Sequence, residues 1–150
     1  MRLSFLCQGH RRWLLDNPGA AASAWFNNHE QAVVLFEEAN FKRATAYAGC
    51  AMEAADITMD NRPCPSAALV DQYTLTSLLL ARLLYRCNEI PVAQVVLGRA
   101  TARVKTLLND CANNTSLLQN YGRLLQLGRD IDRAIVPHST GTAAAGPTLH

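Results

Sequence analysis

A helix that crosses a membrane needs about 18–20 apolar residues in a row, and no such run occurs in these 150 residues. Charge of one sign is also scarce: the formal net charge is +2, with 17% charged residues, so charge alone names no partner. Asn-Gly and Asp-Gly dipeptides are absent, and with them the strongest short-range signal for a β-hairpin. No GxGxxG or GxxxxGK[ST] loop appears, which excludes the common phosphate cradles. An apolar N-terminal run stops at Gln8 and is followed by His10-Arg11-Arg12, short of the roughly 7–15 apolar residues of a secretory signal.

What is present is helix. Alanine and leucine dominate and strand alternation persists nowhere. Apolar residues recur at steps of three and four. The spacing predicts helices over 2–15, 20–39, 41–58, 67–87, 91–111 and 116–135. Breaks fall at Asp16-Asn17-Pro18-Gly19, at Asn40-Phe41, at the Asp60–Pro65 loop and at Asn88-Glu89-Ile90-Pro91, and Asn113-Asn114-Thr115 is read as a helix stop and cap. The first stripe is Leu3, Leu6, His10, Trp13 and Leu14. The third helix carries a face of small residues, Ala44, Ala48, Ala51 and Ala55. The reading is one all-α domain over 1–136, made of antiparallel helical hairpins, with a polar Gly/Pro tail over 137–150 that has little to bury and is expected to be flexible.

Two of the corners look alike. Ala39-Asn40-Phe41-Lys42-Arg43-Ala44 resembles the inter-helix corner of a tetratricopeptide repeat, and Cys87-Asn88-Glu89-Ile90-Pro91-Val92-Ala93 is its counterpart, followed by Leu97 and Ala100 as Ala44 is followed by Ala48 and Ala51. The resemblance covers about residues 24–58 and 73–107. Its degenerate repeats depart from the family: Ala44 and Ala93 lie 49 residues apart where tandem copies lie about 34 apart, and the aromatic–Leu–Gly opening and closing Pro are missing. The resemblance implies a tetratricopeptide-like, right-handed stack of about six helices, with a concave groove lined by the first helix of each pair. Ala44 and Ala93 are expected to be buried at equivalent crossings.

Searching for chemistry yields little. Cys7 and His10 share a helix face, but zinc needs about four ligands and no second pair is near, so they are read as core residues. His29, beside Trp25 and Val33, reads as a satisfied, partly buried histidine. Glu53 and Asp56, without an ExxH partner, read as a solvated face. The five cysteines, Cys7, Cys50, Cys64, Cys87 and Cys111, are odd in number and widely spaced; they are read as reduced thiols of a cytoplasmic protein. Arg99, Arg103, Lys105, Arg123, Arg129 and Arg133 cluster late in the chain, but Asp110, Asp130 and Asp132 dilute them, which speaks against nucleic acid.

The expected function is a protein–protein interaction module, not an enzyme, with no cofactor and no metal. Its partner would be another protein or peptide, and self-association of the short stack is a second possibility. If the resemblance holds, the groove residues are Phe26, His29, Val33, Phe36 and Glu37 from one helix and Leu75, Leu78, Arg82, Tyr85 and Arg86 from another, with Arg82 and Arg86 as a charged anchor. The family's carboxylate clamp uses Lys and Asn at the places occupied here by His29 and Val33, so the resemblance does not extend to clamp-type recognition of chaperone tails. Two alternatives stand beside this reading: a ligand-binding or enzymatic bundle with a pocket near His29, and a regulator weakly associated with nucleic acid.

Overall fold

The computed structural model describes residues 4–60, 62–111 and 115–135. Six helices follow in order: α1 (Gln8–Asp16), α2 (Pro18–Glu37), α3 (Phe41–Asp60), α4 (Ala67–Arg86), α5 (Ile90–Asp110) and α6 (Thr115–Ile135). There is no strand among the described residues, and the chain is all-α. The tail expected over 137–150 and the Asn113-Asn114 part of the expected cap lie outside the described residues.

Each helix from α2 onward packs on the next, α4 also packs on α6, and α1 lies against α2 and α3. Side-chain bonds sort them into two layers. Trp25 of α2 bonds Thr76 of α4, and Asp71 of α4 accepts from Ser116 and Asn120 of α6, so α2, α4 and α6 stand side by side. Arg99 and Arg103 of α5 reach Asp56 of α3, which joins α3 and α5 as the second layer. The core between the layers is built from Ala44, Ala48, Ala55, Tyr73, Leu80, Ala81, Ala93, Val96 and Ala100, all fully or almost fully buried. Alanines at these crossings let backbones approach closely, and Ala44 and Ala93 are indeed both 0% exposed.

The two look-alike corners share one backbone geometry. After α2, Ala39 has φ 59°; after α4, Asn88 has φ 61°. Asn40 N–H donates to Leu35 C=O and Glu89 N–H to Leu84 C=O, both at 2.8 Å, while Ala39 and Asn88 N–H reach Phe36 and Tyr85 C=O. A left-handed residue with a bond spanning five residues is a Schellman stop, which satisfies carbonyls that a helix end otherwise orphans. Every one of these pairs is 49 residues apart, so the 49-residue correspondence is a property of the backbone as well as of the sequence.

Three expectations are corrected. The first helix begins at Gln8, not residue 2, because Phe5 and Leu6 give their backbone N–H groups to Glu53 of α3. Cys7 and His10 are exposed, not core residues; Cys7 Sγ caps α1 by accepting from His10 N–H at 3.4 Å. The cysteines are not all reduced. Cys64 and Cys111 form a disulfide, with Cα atoms 5.9 Å apart, while Cys7, Cys50 and Cys87 are free. The loop before α4 carries Cys64 to the C-cap of α5, a proximity across 47 residues that linear spacing hides. Such bonds persist in oxidising compartments, so the cytoplasmic expectation loses its main support. No helix of the described residues is long and apolar enough to cross a membrane.

Candidate functional site

The face expected to bind divides into three kinds of residue. Phe26 on α2 is 55% exposed and Leu75 on α4 is 42% exposed. They follow and precede Trp25 and Thr76, the two residues that meet across the α2–α4 seam, so both point outward from the same seam. They are also 49 residues apart and occupy equivalent places in the two hairpins. Val33, Phe36, Arg82 and Tyr85 are half-buried, and Arg86 is exposed. His29 and Leu78 are buried and belong to the packing beneath.

His29 is held by its neighbours. Its ring stacks on Trp25 at 5.1 Å, and its Nδ1 lies 3.1 Å from Thr76 Oγ1. An indole N–H only donates, so Thr76 Oγ1 accepts from Trp25 at 2.8 Å and lies within hydrogen-bond distance of His29 Nδ1 as well. Burial lowers the His29 pKa, a pull that Glu30 opposes, and so favours the neutral imidazole.

The two arginines of the expected anchor have different neighbours. Arg86 lies over the Phe41 ring, 5.5 Å from its centroid, and Phe41 meets Phe36 edge-on. Arg82 turns to the other side of α4, where burial and Arg123 lower its pKa and Asp130 of α6 opposes them. One turn apart in sequence, the two guanidinium groups diverge because aromatic and acidic neighbours on opposite sides draw them away from each other.

The carboxylates read as a solvated face are buried instead. Glu53 is 6% and Asp56 4% exposed. Glu53 accepts from the Phe5 and Leu6 N–H groups and lies 3.6 Å from Arg11. Asp56 lies 3.1 Å from Arg99 and 3.0 Å from Arg103, and Arg103 also reaches Asp60 at 2.7 Å. Burial pushes the Asp56 pKa up, against the pull of Arg103 and Arg99; burial and Asp56 together push the Tyr73 phenol up as well. Perturbed groups mark functional sites often enough to ask whether this is one. Size decides: the cavity beside Glu53 and Asp56 is about 10 Å³, room for about one water at most. These pairs hold helices together, and they remove Arg99 and Arg103 from the basic cluster of α5 and α6.

Larger grooves lie elsewhere. One of about 520 Å³ runs between α5 and α6, one of about 410 Å³ lies along Asp60 and Arg103, and one of about 730 Å³ lies where Ser4 and Phe5 pass Thr45 and Cys87; His29 lines none of the three. No three His, Cys, Asp or Glu among the described residues are grouped to hold a metal. Sequence reasoning missed the α3–α5 ion pairs, although the 43-residue separations of Asp56 from Arg99 and of Asp60 from Arg103 are a signal once helices are taken to be stacked. Comparison with family models, curated proteins and solved structures finds no match.

Proposed function

We propose that this chain is a tetratricopeptide-like interaction module that binds a segment of another protein along the outward face of α2 and α4. The observation that carries the reading is the pair Phe26 and Leu75, two large apolar side chains exposed at equivalent places on neighbouring helices. Single exposed apolar residues are ordinary on any surface. Two at matching positions of a repeated unit line one face, and aromatic residues in such a position are typical binding hot spots. Val33, Arg86 and the Phe36–Phe41 pair extend the surface, and Glu30 and Glu37 border it. Buried His29 serves as the fixed base of this surface rather than as a contact, since Trp25 and Thr76 lock it from both sides.

A pull-down from native extract tests the proposal. The parent chain is expected to retain a specific protein that Phe26→Ala plus Leu75→Ala releases, with affinity lower by more than tenfold, about 1.4 kcal/mol, and helicity unchanged. Val95→Ala, at an exposed position of α5, is expected to bind like the parent. Equal retention by all three proteins would end this reading.

A further inference from the structure

Among the described residues, the stack ends in mid-pair. Helices α2 and α3 form one hairpin, α4 and α5 a second, and α6 opens a third that has no returning helix among the described residues. The groove of about 520 Å³ along α5 and α6 is where that helix would lie. Its floor is made by Gly98, Ala102 and Gly128, and Tyr121 and Leu125 form its α6 wall. A Cβ at Gly98 or Gly128 would meet nothing within 4 Å. Leu118, on the same side of α6 as Tyr121 and Leu125, is 63% exposed.

The protein contains a filled copy of this slot for comparison: the place that α5 takes beside α3. At the 49-residue offset, Lys105 of the open slot occupies the position of Asp56, the buried wall residue that takes Arg99 and Arg103 from the helix seated there. The charge of the wall is reversed. On the other wall, α6 follows α4 at an offset of 47, with Leu117, Leu127 and Ile131 buried where Val70, Leu80 and Leu84 are. Arg129 then stands in the place of Arg82, which lies near both Arg123 and Asp130 of the next helix. Lys105 and Arg129 make no ion pair among the described residues, while Asp132, the acidic residue of the groove, is held by Gln94 at 3.2 Å.

We propose that the α5–α6 groove is a seat for an amphipathic helix of a partner protein, packed by an apolar, small-residue face and held by carboxylates that pair with Lys105 and Arg129. The observations that support it are separate from the α2–α4 surface. A second copy of this chain is a poor occupant. The opposite end of the stack is α1, whose exposed residues include His10, Arg12, Trp13 and Asp16, a single carboxylate where the groove offers both Lys105 and Arg129. A two-fold pairing would set Lys105 and Arg129 near their own copies.

The test uses the whole chain and a probe taken from its own filled slot. The probe is a labelled 21-residue peptide of α5 carrying Arg99→Glu and Arg103→Glu, and the control is the unaltered peptide. In fluorescence anisotropy the charge-reversed peptide is expected to bind at least tenfold more tightly than the control, and Lys105→Glu plus Arg129→Glu in the protein is expected to reverse that order. Gly98→Leu plus Gly128→Leu, at positions where an added Cβ meets nothing within 4 Å, is expected to keep its helicity and lose the peptide. Phe26→Ala plus Leu75→Ala is expected to bind it like the parent, which separates this site from the surface proposed above. Failure to bind either peptide, equal binding of both, or binding that survives the double leucine variant would overturn the proposal. So would a dimer in sedimentation that Leu118→Ala dissociates, since the occupant would then be a second copy.

Discussion

Asp56 shows how unequal the two sides of one ion pair can be. It is almost wholly buried, whereas the side chains of Arg99 and Arg103 are 46% and 27% exposed. Removing the carboxylate leaves two long cations that can swing into water. Removing both arginines leaves a buried anion with no partner, at a cost of about 3–5 kcal/mol. Urea unfolding of Arg99→Ala plus Arg103→Ala is therefore expected to show the larger loss, and Asp56→Ala the smaller; the reverse order would mean that the carboxylate is not confined. His29 gives a test by pH. Its pKa in the folded chain lies below the ordinary 6.5, so the unfolded chain takes up the proton first and stability falls as pH drops through 6.5 toward the lower folded value. His29→Asn is expected to flatten the urea midpoint across that window.

At the scale of helices, the repeated corner can be tested at its weakest atoms. Ala39 has a side chain at φ 59°, where a Cβ costs roughly 1–2 kcal/mol. Ala39→Gly is expected to raise stability by about 1 kcal/mol after the added freedom of the unfolded chain is deducted. Asn88→Gly is expected to gain less, because Asn tolerates this conformation. At the crossings themselves, Ala44→Leu or Ala93→Leu is expected to cost about 1–3 kcal/mol by overpacking, and an unchanged thermal midpoint would contradict the tight crossing. These elements were legible beforehand because what defines them is local: three- and four-residue periodicity, Pro18 and Pro91 near helix starts, and matching corner residues. Glu53, Asp56 and the start of α1 were not, because what decides them is distant. Phe5 meets Glu53 across 48 residues, and Arg99 meets Asp56 across 43. The exposed Phe26 and Leu75 lay on the expected face, but the burial of His29 and Leu78 depends on how closely α2 and α4 approach, which helical periodicity leaves open.

For the whole molecule, the disulfide between Cys64 and Cys111 encloses α4 and α5 entirely. Closing a loop of this length stabilises by about 4 kcal/mol in the chain-entropy account. Cys64→Ser is expected to lower the thermal midpoint by an amount consistent with that figure, and peptide mapping without reductant is expected to recover the two cysteines on one cross-linked species, with exposed Cys7 the first to be alkylated. The bond also alters how the protein carries load. A pull applied at the two ends of the chain passes from residue 64 directly to residue 111 through sulfur, so the hairpin between them lies outside the line of tension. The bypassed stretch spans 47 residues, a contour of about 160 Å at roughly 3.4 Å per residue. Under force the oxidised chain would extend by that much less than the reduced one, with α4 and α5 carried along as a ring that no tether at the ends can unravel.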